Sequence, residues 1–175
     1  SAAQHAAEQV IAHARVAGND VLAVRTMPLL AFLDQKGPLP VPEATRACEA
    51  ILAQVAGDRR SRSLVGLELA VLAGMDLDLD RARSLCADTR ATLRDLGWEV
   101  QAALVSLASG PIELQADDPS RAEAELRADH RTLEAMGERN FISLTAVLLA
   151  EAVYRQGGFD EAAALVASSA ELAAP

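Results

Sequence analysis

The residues with chemical reach are few and scattered. His5, His13 and His130 lie far apart, and neither His-Glu-x-x-His nor Cys-x-x-Cys occurs. Zinc needs three or four convergent ligands, so we read these as helix-surface histidines and expect no metal. Cys48 and Cys86 each sit among apolar positions with no implied histidine or cationic partner. They read as buried small hydrophobes rather than nucleophiles. Asp76-Leu-Asp-Leu-Asp80 has the opening rhythm of a calcium loop, which also needs glycine at its sixth place and glutamate at its twelfth. Those places hold Arg81 and Ala87, so the stretch reads as a solvated turn capping the next helix. No phosphate-cradling Gly-x-x-x-x-Gly-Lys-(Ser/Thr) is present. Arg59, Arg60 and Arg62 form the one dense basic cluster. It reads either as a site for phosphate or an acidic partner, or as a solvated helix start. Trp98, just after Gly97, reads as a partner anchor or as packing against its neighbour. No paired general acid and base falls on one face, so we expect no enzyme and no cofactor in this stretch.

Composition narrows the classes further. Apolar residues make up 51% but aromatics only 3%, so the apolar surface is alanine, leucine and valine, suited to close helix–helix packing. The net charge of −9 argues against nucleic acid, which needs clustered Lys and Arg, and against anionic membranes. The longest apolar run, around Phe141–Ala150, is too short to span a bilayer. With no signal-peptide pattern and two cysteines, a cytoplasmic protein is expected. The chain opens without Met, inside a helical pattern. We expect a piece of a longer polypeptide, folded as a single domain over residues 1–175.

The positioning elements show a beat. Gly18, Gly57, Gly97 and Gly137 lie 39, 40 and 40 residues apart, each after a helical stretch, as glycines do just past a helix C-terminus. Leu64, Leu104 and Leu144 keep the period, as do Leu67, Leu107 and Val147. Small residues keep it too, at Ala70, Gly110 and Ala150 and at Ala82, Ala122 and Ala162, which lets paired helices approach closely. Such periods mean stacked supersecondary units. Nine helices are expected: 2–17, then pairs at 19–36 with 42–56, 59–75 with 79–96, 98–116 with 119–136, and 138–156 with 159–173. Pro28 and Pro111 should kink their helices or end them early. The last hairpin sets the pattern. Phe141–Tyr154 is apolar almost all round, hence buried on several sides. Gly157-Gly158 breaks it. The partner helix carries a buried stripe of Ala162, Leu165, Val166, Ser169 and Leu172.

Gly157-Gly-Phe-Asp-Glu-Ala162, with Tyr154 before it, Ala-Glu-Leu172 after it and Pro175 beyond, resembles a tetratricopeptide (TPR) repeat. The period of 40 exceeds that family's usual length, and the turns at Asp78–Ala82 and Asp118–Ala122 lack its glycine and aromatic. The longer unit resembles the TPR-like C-terminal tracts of bacterial STAND-type ATPases and adenylate/guanylate cyclase-type regulators. Residues 126–172 are most similar to the actinobacterial versions.

The resemblance implies an all-α, TPR-like superhelix of about four hairpins. It implies a protein–protein interaction scaffold or sensor arm in signal transduction, whose partner is a protein, a peptide or another domain of the same polypeptide. A small-molecule or peptide receptor of the same solenoid type is the alternative, an enzyme with a carboxylate-based site is a third class, and a homodimer through terminal repeats is a further assembly. Carrying the family's concave-face positions onto this chain points to Glu151, Tyr154, Arg155, Leu114 and Gln115, together with Leu144, Val147, Leu104 and Leu107. Because the leucine beat includes them, Leu104 and Leu144 are expected in the core. Glu151, Tyr154 and Arg155, whose polar ends need water or a partner, are expected in the groove.

Overall fold

The computed structural model describes residues 2–173, with side chains described for 2–170. Pro175 of the repeat-like tail lies outside the described residues, as do the side chains of Glu171 and Leu172. The described residues form ten helices and no strand: α1 (Ala2–Val16), α2 (Asp20–Lys36), α3 (Val41–Gln54), α4 (Arg59–Met75), α5 (Leu79–Asp95), α6 (Glu99–Ala103), α7 (Ser106–Gln115), α8 (Pro119–Ala135), α9 (Arg139–Arg155) and α10 (Phe159–Ala173). No described helix is long and apolar enough to cross a membrane.

The chain divides into two compact units, Ser1–Thr92 and Leu93–Pro175. In the first, α1 packs on α2, α2 on α3 and α4, and α3 on α4. Ile11, Met27, Cys48, Val55, Val65, Leu69 and Leu72 form its core. In the second, α8 packs on α6 and α7, α9 on α7 and α8, and α10 on α9. Leu114, Ala122, Leu126, Leu149 and Val153 are buried together there. Consecutive helices therefore pack in order within each unit.

One backbone device separates most of the helices. Leu77, Gly97, Asp117, Gly137 and Gly157 recur every twenty residues, all with φ between 57° and 86°; Gly18 belongs to the set at 69°. The residue after each donates its N–H to a carbonyl five residues back, as in Asn19 to Ala14 (2.8 Å), Asp78 to Ala73 (2.9 Å) and Glu138 to Leu133 (3.0 Å). This left-handed closure satisfies carbonyls that a helix end would otherwise leave unpaired. At several junctions the same donor residue caps the next helix. Asn19 accepts from Leu22 N–H, Asp78 from Arg81 N–H and Asp118 from Arg121 N–H. The Asp76–Asp80 stretch is thus a helix-capping turn, as expected. Gly57 keeps the sequence beat without the left-handed backbone: Asp58 N–H bonds Val55 O instead.

The prolines act differently from each other. α2 continues through Pro28 to Lys36, so that helix does not end early. The expected helix over 98–116 is two helices. Pro111 lacks an N–H, and its ring crowds the carbonyl four residues back, that of Leu107. One turn upstream the chain tightens to three-residue bonds, Val105 to Ala102 and Leu107 to Leu104. The Ser106 hydroxyl donates to Ala103 O at 3.1 Å.

The core register is one residue from the leucine beat. Val65, Val105 and Thr145 are fully buried, whereas Leu64 and Leu104 are half-buried and Leu144 is 52% exposed. Leu144 is therefore not core. Thr145 is tolerated inside because its hydroxyl reaches Ile142 O of its own helix (3.0 Å) and pairs with His130 Nδ1 (3.0 Å). The small-residue positions hold: Ala70, Ala82 and Ala122 are fully buried, and a Cβ on Gly110 would fall 2.8 Å from the Leu126 side chain.

These turns yield a paired expectation. Gly97 has nothing within 4 Å of an added Cβ, so Gly97→Ala should cost only its backbone strain, about 1 kcal/mol. Leu77→Gly should leave stability unchanged or raise it by up to about 1 kcal/mol, because the strain removed exceeds the flexibility gained. Urea unfolding of the two variants measures both. A clear loss at Leu77→Gly would contradict the left-handed assignment there.

Candidate functional site

The residues with chemical reach do not converge. His5 and His13 are exposed on α1, whereas His130 is half-buried, so the surface reading holds for two of three. Burial pushes the His130 imidazole pKa down, with Glu134 opposing and Arg127 reinforcing the shift. Cys48 and Cys86 are both buried. Burial, with the nearby charges of Asp34, Glu68 and Glu49, pushes the Cys48 thiol up to about 12. Its Sγ–H points at Ala31 O, 3.6 Å away. A thiol held protonated is inert. The arginines at 59, 60 and 62 open α4 behind Asp58. That carboxylate accepts from Ser61 N–H at 2.7 Å, which holds its pKa below the usual range against the opposing effect of burial. Trp98 is half-buried at the start of α6.

Two carboxyls of the first unit are shifted upward. Burial pushes Glu68 from 4.5 up to about 7, with Lys36 opposing. Asp34 is raised by burial and then by the charge of Glu8, and it accepts from Gln4 Nε2 at 3.0 Å. Both shifts arise mainly from packing among α1 to α4.

A recessed surface lies on the last hairpin, in the second unit. Val147, Ala150, Glu151 and Tyr154 of α9 face Phe159, Ala162, Ala163, Val166 and Ala167 of α10 across about 660 Å³. Its position follows from the Gly157-Gly158 turn: Gly157 takes φ 86°, and a Cβ on Gly158 would lie 2.6 Å from Val153 Cγ1. That tight reversal brings the Tyr154 and Phe159 rings edge to face, with centroids 5.1 Å apart, a favourable aromatic geometry. Val147, Tyr154, Phe159 and Val166 are each about half exposed or more. Large apolar side chains contiguous on a surface mark an interaction site more often than chance exposure does.

Of the sequence-derived candidates, Val147, Glu151 and Tyr154 line this groove. Arg155 stands beside it and is engaged within the hairpin stack, donating to Glu151 at 2.6 Å and to Leu114 O at 2.9 Å. Leu114 is buried core rather than groove, and Gln115 is exposed one residue on. Helix α9 is not buried all round, because Leu144, Val147 and Tyr154 are exposed. Val166, expected in the buried stripe of α10, is 52% exposed on the groove wall. Phe159, Ala163 and Ala167 were not among the candidates. Their signal was an apolar face on α10 wider than one neighbouring helix can cover.

No family model matches this chain, and no curated protein matches it.

The raised carboxyl carries a pH expectation. Glu68 binds its proton more tightly folded than unfolded, so its contribution to stability is full below about pH 4.5 and is lost as pH rises through about 7. The stability of the wild type relative to Glu68→Gln should therefore fall on the order of 3 kcal/mol between about pH 4 and about pH 8. Urea unfolding of both proteins at the two pH values measures this. An equal difference at both would contradict it.

Proposed function

We propose that the chain is a protein-interaction module, a TPR-like solenoid that serves as a scaffold or sensor arm regulating a multidomain signalling protein. The observation that supports this most is the open apolar groove between α9 and α10. Its walls are aliphatic and aromatic, and its polar groups are the Glu151 carboxylate and the Tyr154 hydroxyl. Glu151 is already held by Arg155, so few groups remain to orient a polar small molecule. A helix or peptide whose apolar side chains fill the groove suits it better. The ordered packing of consecutive helices supports the solenoid reading, and the Gly157–Ala162 turn supports the likeness to TPR-like tracts of STAND-type and cyclase-type bacterial regulators.

Quantitative capture tests this reading. The immobilised chain should retain a defined set of polypeptides that a Tyr154→Ala/Val166→Glu variant loses at least about tenfold, while thermal unfolding stays close to wild type because both side chains are exposed. Equal retention by a folded variant would contradict it. A small molecule retained in native mass spectrometry, and lost in the same variant, would favour the receptor instead.

A further inference from the structure

The groove has a covered counterpart one period earlier. Val147, Ala150, Tyr154, Phe159, Ala162 and Val166 line it. Forty residues upstream stand Leu107, Gly110, Leu114, Pro119, Ala122 and Leu126. Leu114, Ala122 and Leu126 are buried in one cluster with Leu149, Ala150, Ala152 and Val153, so α9 is the helix that covers them. Polar contacts complete that seat. Arg155 donates to Leu114 O at 2.9 Å, and Gln156 donates to Pro119 O at 3.2 Å and to Glu123 at 2.7 Å. Both faces have small floors, Gly110 with Ala122 and Ala150 with Ala162, between larger walls. The upstream face is closed by a helix, while the downstream face is open among the described residues.

We propose that the open face seats an amphipathic helix of a partner protein, docked as α9 docks on α7 and α8. That helix would carry small and aliphatic residues at three- and four-residue spacing and an arginine near its C-terminal end. The proposal rests on reading the groove as an interaction surface and names what that surface takes. The arginine follows from the backbone. Leu114 O accepts from Asp117 N–H (3.3 Å) and from Arg155, and Tyr154 O, one period on, accepts from Gly157 N–H (2.9 Å). Each carbonyl is also approached by the N–H two residues on, Ala116 at Leu114 O and Gln156 at Tyr154 O, so Tyr154 O stands in the same cap surroundings in which Leu114 O still takes Arg155, and it offers a helix the matching acceptor. Charge points the same way at Asp160, which opens α10 beside the groove; the neighbouring Glu151 and Glu161 are paired with Arg155 and Arg127. A second copy is a poorer occupant, because two chains of net charge −9 would bring the same acidic groups together across a two-fold interface.

The probe is a fluorescent peptide with the sequence of residues 139–156, titrated against the whole chain by anisotropy. Saturable binding is expected. It should weaken about tenfold or more for a Phe159→Glu/Val166→Glu chain, and several-fold when the peptide carries Arg155→Ala. Ala163→Arg, a second exposed groove position, should give the same loss if the double variant fails to fold. No saturable binding would overturn the proposal. So would equal binding to a folded groove variant, since the peptide would then be displacing α9 itself. A dimer in sedimentation that the double variant dissolves would also overturn it and assign the face to a second copy. If the peptide fails while captured polypeptides still depend on Tyr154 and Val166, the α9-type helix is rejected and the interaction reading stands.

Discussion

Most of the helix boundaries depend on one strained backbone position, the left-handed residue that closes a helix. At 18, 77, 97, 117, 137 and 157 the chain takes this conformation, and the next residue's N–H returns to a carbonyl five back. Where that next residue is Asn19, Asp78 or Asp118, its side chain also caps the following helix. Two residues thus end one helix and begin another, and the reversal brings antiparallel neighbours together without a loop. Glycine makes the conformation inexpensive at 97, 137 and 157. Leu77 and Asp117 hold it at a cost of about 1–2 kcal/mol each, which the packing of the flanking helices must offset.

Buried polar groups tie the stacked helices in addition to the apolar seam. Thr89 Oγ donates to Ser63 O at 3.1 Å, and two periods later Ser169 Oγ donates to Ser143 O at 3.0 Å. Each fastens the second helix of a hairpin to the start of the first and gives a buried hydroxyl its partner. In the second unit Glu113 is 1% exposed and paired with Arg121 at 3.1 Å; Arg121 also approaches Glu125, which accepts from the Ser109 hydroxyl. Positions 73 and 153, one period either side of Glu113, are alanine and valine. The buried carboxyl there is specific to this part of the chain, and Arg121 is one of the groups that hold it.

The helices were legible because their ends carry chemistry: glycines on a fixed beat, aspartates at caps and a Gly-Gly turn. The left-handed backbone at Leu77 and Asp117 was not, since neither residue type announces it. Core register was harder to read. Leu64, Leu104 and Leu144 repeat as faithfully as Val65, Val105 and Thr145, and a buried threonine breaks the apolar pattern until its bond to Ile142 O is seen. Leu114 and Arg155 looked like groove residues by spacing. One is enclosed by α9, and the other is committed to a carbonyl on α7. Val166 fits a buried stripe by spacing, but spacing fixes only an arc of the helix; Ala162 and Ser169 lie on its buried side and Val166 on its exposed side.

The central claim is that the α9–α10 face is an open copy of the face that α9 closes on α7 and α8. Hydroxyl-radical footprinting of the whole chain tests it most directly, because aromatic and aliphatic side chains label in proportion to exposure. Tyr154, Phe159 and Val166 should label heavily, and Leu114 and Leu126, their counterparts on the covered face, should be protected. Equal protection at both sets would contradict the account, since the last hairpin's face would then be closed in solution.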